Sequence, residues 1–127
     1  MTTRTRFLLG AAAMYAAASQ RVYAAQSQRL RVNLRCTKRP DAITLRQSAA
    51  HGVTVRIDYV DGQYPSQTFH FAVNGGSEDA VCAIPVQLRR ERTIGAHCEG
   101  FAIVDERCDS IHFTWNPKTH RAEWWRL

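Results

Sequence analysis

Beyond residue 25 the chain is written in short alternations of apolar and polar side chains, the period-2 pattern of strands that bury one face and wet the other. Leu30, Val32, Leu34 and Cys36 alternate with Arg29, Arg31, Asn33 and Arg35, which predicts a strand whose outer face is almost wholly cationic. A second short strand is expected over 42–46. Val53, Val55, Ile57 and Tyr59 alternate with Thr54, Arg56 and Asp58, and Phe69, Phe71 and Val73 follow after the Asp61-Gly62 and Tyr64-Pro65-Ser66 connection. Asn74-Gly75-Gly76 marks a reversal, because Asn and Gly tolerate positive φ. A strand over 81–90 places Cys82, Ile84, Val86 and Leu88 on one face; Pro85 has no amide hydrogen, so this strand lies at an edge, is bulged, or is divided there. Phe101 and Ile103 supply another.

The last eighteen residues form the strongest element, a hairpin. Ile111, Phe113 and Trp115 alternate with His112, Thr114 and Asn116, the turn falls at Asn116-Pro117-Lys118-Thr119, and the chain returns over 121–126. Closing the loop between Trp115 and His120 sets Phe113 opposite Ala122, His112 opposite Glu123 and Ile111 opposite Trp124. Phe113, Trp115 and Trp124 then share one face as the hydrophobic keel. No segment after residue 25 keeps a helical period over three turns. The expected fold is all-β: a small antiparallel β-sandwich or up-and-down barrel of about seven or eight strands, mostly joined to their neighbours.

The start of the chain has a different grammar. Arg4 and Arg6 precede the apolar run Phe7 to Ser19, and Val22-Tyr23-Ala24 offers a signal-peptidase site, so residues 1–24 read as a cleaved secretory signal and 25–127 as one β domain. The run has 13 residues, short of the roughly 20 that span a bilayer. Removing Arg4, Arg6 and Arg21 lowers the basic count from 17 to 14 against 11 acids, and the net charge from +6 to +3. Such a balance favours solubility and argues against nucleic acid as a main partner. The predicted location is periplasmic or secreted.

Four cysteines, Cys36, Cys82, Cys98 and Cys108, remain in the exported part, an even count that points to disulfides in an oxidising compartment. Of three possible pairings, Cys98 with Cys108 and Cys36 with Cys82 is the favoured one. No Cys-x-x-Cys pair occurs, and His97 beside Cys98 lacks zinc-site spacing, so no metal or cofactor is expected.

Catalytic motifs are missing: no Gly-x-Ser-x-Gly, no phosphate cradle, no serine beside a recognisable base. His112 facing Glu123 is the one acid–base pair the pattern offers, and on a sheet such a pair is ordinarily a cross-strand contact. Trp125 is less ordinary, because adjacent strand residues face opposite sides and Trp124 is needed in the core. An outward Trp125 flanked by His112, Arg121 and Glu123 suits an interface anchor, since Trp and Arg dominate binding hot spots. The cationic strand, with Arg29, Arg31 and Arg35, offers a second, anion-binding face, because guanidinium grips carboxylate and phosphate in two-pronged fashion. The functional expectation is an exported domain that acts by binding a protein or an anionic envelope polymer, as an inhibitor or recognition module. A small hydrolase built on His112 and Glu123, or a structural component of the envelope, are the alternatives. In size, export and β content the chain resembles the periplasmic lysozyme inhibitors, a likeness that carries no motif and assigns no residue a role.

Overall fold

Strand-forming alternation and tight turns give β1 (Gln26–Val32), β2 (Asp41–Ser48), β3 (Gly52–Asp58), β4 (Gln67–Val73), β5 (Ala80–Val81), β6 (Gln87–Arg92), β7 (Glu99–Val104), β8 (Ile111–Asn116) and β9 (Arg121–Trp125). The computed structural model describes residues 26–74, 76–92 and 98–127; the expected signal at 1–24, Gly75 and His97 lie outside the described residues. Strands β1 to β5 form one sheet in sequence order, and β6 to β9 form the other. Each sheet is an antiparallel meander, except that the two-residue β5 pairs parallel with β4. Among the described residues no helix is long and apolar enough to cross a membrane.

The inner faces meet in a close-packed core. Leu45, Val55, Ile57 and Phe71 of the first sheet and Phe101, Ile103, Ile111 and Phe113 of the second are buried. Phe101 stacks on Phe113 at 4.5 Å, Phe69 meets Phe113 edge-on at 5.2 Å, and Trp124 meets Phe71 edge-on at 5.5 Å. Gly52 closes the β2–β3 turn at φ +74, where a Cβ would sit 2.5 Å from the carbonyl oxygen of Phe71, so only glycine fits.

Two expectations are corrected, and a third point left open by the sequence is resolved. First, the closing hairpin keeps its faces but shifts its partners: Phe113 pairs with Trp124, Thr114 with Glu123 and His112 with Trp125. The strand runs on to Asn116, whose Oδ1 accepts the Lys118 amide at 2.9 Å, and His120 closes the loop at φ 54. Residues 117–120 therefore form a four-residue turn, and each pairing slides two places along β9, a shift that preserves which side every residue faces.

Second, the disulfides are Cys36–Cys98 and Cys82–Cys108. All of β7 stands between Cys98 and Cys108, and its six residues at about 3.3 Å each carry the chain about 20 Å. Bridged cysteines need Cα atoms within about 7 Å; the observed pairs lie at 4.6 and 5.9 Å. One bond follows β1 and precedes β7, the other follows β5 and precedes β8, so each clamps one sheet to the other.

Third, the strand over 81–90 is divided. Cys82 to Val86 carries the chain from one sheet to the other, with a cis Ile84–Pro85 bond, and Pro85 thus takes the last of its three predicted positions.

The seams between the sheets are closed by side chains. Gln47 accepts the Val86 amide at 2.7 Å and donates to the Val86 carbonyl at 3.0 Å. Gln28 adds bonds to the Val86 carbonyl and the Leu88 amide, and on the opposite seam Gln67 holds both backbone groups of Ala122, at 2.8 and 3.1 Å. A carboxamide presents a donor and an acceptor side by side, as a peptide group does, so each glutamine substitutes for a neighbouring strand.

Replacing Gln47 by Leu keeps the volume but leaves the buried Val86 amide unpaired. Loss of about 1–3 kcal/mol in denaturant unfolding of the disulfide-bonded protein is expected. Gln28→Leu, at a half-buried site, should cost less; equal stability of all three proteins would show that the seam bonds contribute nothing.

Candidate functional site

The outer faces carry the side chains that the core does not use. On the four-stranded sheet the register aligns Arg89 of β6, Ala102 of β7, His112 of β8 and Trp125 of β9 in one row across the strands. Glu91 stands opposite Gly100 in the next row. Because β7 contributes only Gly100 and Ala102 here, nothing bulky separates β6 from β8, and Glu91 reaches across to His112, Oε1 to Nδ1 at 2.6 Å. A carboxylate only accepts, so Nδ1 carries the hydrogen and Nε2 is left for other partners. Trp125 lies over the imidazole, ring centres 4.3 Å apart and planes 19° from parallel. It remains 46 % exposed.

The expected His112–Glu123 pair does not form. Glu123 stands opposite Thr114 and accepts from Asn116 at 3.0 Å and Thr119 at 3.3 Å, serving the turn. Arg121 is exposed beside it. The sequence missed Glu91 because it lies two strands away, in a run of arginines that reads as a charged tip. Its one signal was the pair of small residues in β7, which mean little before register is known.

The five-stranded sheet presents Arg29 and Arg31 of β1, Arg46 of β2 and Arg56 of β3 outward, among Thr44, Thr54 and Thr68. Arg56 is paired with Asp58 at 2.9 Å. Arg29, Arg31 and Arg46 form no ion pair among the described residues.

Arg35 departs from this stripe, because β1 ends at Val32 and Cys36 takes φ 58. Its guanidinium turns inward and grips the fully buried Asp41 with Nε at 3.1 Å and Nη2 at 2.8 Å, with Asp61 3.2 Å away. Tyr59 and Tyr64 face the guanidinium at 5.2 and 5.5 Å, and Trp115 packs edge-on against Tyr59 and tilted against Tyr64. The hydrogen bonds that Arg35 donates to Asp41 raise its pKa above its ordinary value, and the bond it donates to Asp61 lowers that of Asp61. This cluster plugs the end of the sandwich.

For chemistry the arrangement offers little. Among the described residues no hydroxyl or thiol is hydrogen-bonded to His112, so no side-chain nucleophile is paired with it. The group of Cys82, Asp105 and Cys108 has metal-ligand proximity, but its two sulfurs are bonded to each other. No family model, curated protein or solved structure matches the chain.

Tyr59 donates its hydroxyl hydrogen to Gln67, the same carboxamide that holds Ala122, and burial pushes its pKa from 10 up to about 12. Folding favours the neutral phenol, so its stabilisation is complete below pH 10 and is lost as pH rises from 10 towards 12. Denaturant melts through that window should fall more steeply for the wild type than for Tyr59→Phe; parallel curves would refute the linkage.

Proposed function

We propose that the protein is an exported recognition module that binds another protein through the outer face of its four-stranded sheet, with Trp125 as anchor. The observation that carries this reading is a half-exposed tryptophan whose orientation is set in advance. Trp125 has no place in the core, yet the His112 stack fixes its ring and the Glu91 bond fixes the imidazole. Holding an exposed aromatic in one pose lowers the entropy lost on binding, which is how rigid aromatic anchors gain affinity. Arg121 and Glu123, both exposed on the same strand face, supply the polar rim that such anchors need.

Two disulfides fit an oxidising compartment, and the reading places the domain in the periplasm or outside the cell. An inhibitor or recognition role suits a rigid sandwich that changes little on binding. The His112–Glu91 bond also supports a second reading, a small hydrolase with His112 as base. That reading leaves Trp125 unexplained, and among the described residues no hydroxyl or thiol is hydrogen-bonded to His112, so binding is preferred.

Capture from the native envelope or culture fluid with the immobilised protein, followed by affinity measurement on the recovered partner, tests the proposal. Trp125→Ala should unfold within about 1 kcal/mol of the wild type, as a surface change does, and weaken binding by about 2 kcal/mol or more, roughly thirtyfold. Glu91→Gln, which loosens the imidazole without touching the anchor, should weaken it less. Undiminished affinity of the Trp125 variant would overturn the assignment.

A further inference from the structure

The opposite face of the sandwich has a different character, and its charge is not consumed by the fold. Arg29 and Arg31 lie two residues apart on β1, about 7 Å along the strand, and Arg46 projects from the adjoining β2 on the same side. All three are exposed and lack a counter-ion among the described residues, whereas Arg56 on β3 is neutralised by Asp58. Asp58 also accepts the Ser66 hydroxyl at 2.6 Å, and none of Arg29, Arg31 and Arg46 is paired with it. Two shallow hollows of about 390 Å³ each share Arg29, Thr44 and Asp58; one extends to Arg31 at the β1 edge and the other through Arg46 to Thr68 on β4. Together they make a track that crosses four strands rather than a closed cavity.

We propose that this track binds a linear anionic polysaccharide, its sulfate, carboxylate or phosphate groups held by Arg29, Arg31 and Arg46 and its hydroxyls by the threonine rows. Composition separates this ligand from its rivals. Single-stranded nucleic acid is held by aromatic stacking as well as by charge, and no aromatic side chain other than His70 faces outward here. A membrane surface is entered by an apolar flank, and the outward rows of β1 to β4 contain Ala42 and Ala72 as their only apolar residues. A protein partner of ordinary affinity needs a desolvated apolar centre, which the same rows lack. Spread guanidinium groups with hydroxyls between them match a chain that presents charge and hydroxyls at intervals along its length, and guanidinium binds each anionic group with two parallel hydrogen bonds. This inference does not rest on the role of Trp125, which lies on the other sheet.

The test uses the disulfide-bonded protein and heparin, a sulfated linear polysaccharide, as probe. A single-stranded DNA oligonucleotide, anionic phospholipid vesicles and polyglutamate serve as rival anions. Heparin should bind more tightly than each of these at matched salt. Arg29→Gln/Arg31→Gln/Arg46→Gln should weaken heparin binding about tenfold or more and reduce the slope of log K against log salt by about 2, with an unchanged thermal melt, while Trp125→Ala binds heparin as the wild type does. Arg29→Glu alone, at the junction of the two hollows, should also weaken binding and keeps the question open should the triple variant fail to fold. No binding of heparin, undiminished binding by the arginine variants, or a rival anion bound as tightly would overturn the proposal.

Discussion

A two-sheet sandwich has four edges, and each exposes peptide groups that water, a partner or the protein itself must satisfy. Here the protein satisfies many of them with side chains. Gln28 and Gln47 bond the backbone at Val86 and Leu88, and Gln67 bonds it at Ala122. Arg90 reaches the Arg31 carbonyl at 2.6 Å, while Arg126 donates to the carbonyls of Glu78, Ala80 and Asp109. Both seams are bridged, yet the sheets are not one barrel. The bridging bonds come from side chains, and from a backbone bond between the Glu99 amide and the Asn33 carbonyl at 2.8 Å, rather than from strand ladders. That closure satisfies peptide groups at the seams that would otherwise be open to another chain. It also frees the two outer faces to carry side chains chosen for something other than stability.

The ends of the sandwich obey the same logic with charge instead of amides. Asp41 is fully buried at the start of β2, and a lone carboxylate there would be strongly disfavoured. Arg35 neutralises it with two bonds, the Val60 amide adds a third at 3.1 Å, and the rings of Tyr59 and Tyr64 cover the guanidinium. Such a pair is weak evidence for net stability, since desolvation offsets much of the attraction. Arg35 lies next to Cys36, so the pair and the Cys36–Cys98 disulfide anchor the same stretch of chain after β1.

The sequence carried the fold class and the faces well because both follow from period 2. Phe113, Trp115 and Trp124 could be assigned to one side, and Trp125 to the other, without knowing any partner. Partners were harder, since pairing depends on where a turn ends, and Asn116 as a strand residue rather than a turn residue moved every pair of the hairpin. Arg35 obeyed the alternation of its neighbours and was placed on the surface; the buried Asp41 that draws it inward sits after a Pro40 that reads as a turn. Gln28, Gln47 and Gln67 each occupy an inward strand position in the structure, but all three fall outside the strands the alternation predicts, so the seams could not be read from the sequence. Which peptide groups they meet depends on the packing of one sheet over the other, a relation no local pattern encodes. Glu91 and the disulfide pairing were hidden for the same reason.

The two faces can vary separately. Sheets pack about 10 Å apart, so groups projecting from opposite outer faces are separated by both backbones and the core. Substitutions this far apart, without shared partners, act additively to within about 0.5 kcal/mol. A change at Trp125 and one at Arg29 thus report on different contacts, and neither has a path to the other except through the buried layer. A single surface substitution that disturbs both faces at once must then have loosened that layer, through the seams or the Arg35 plug, and it reports on folding rather than on recognition.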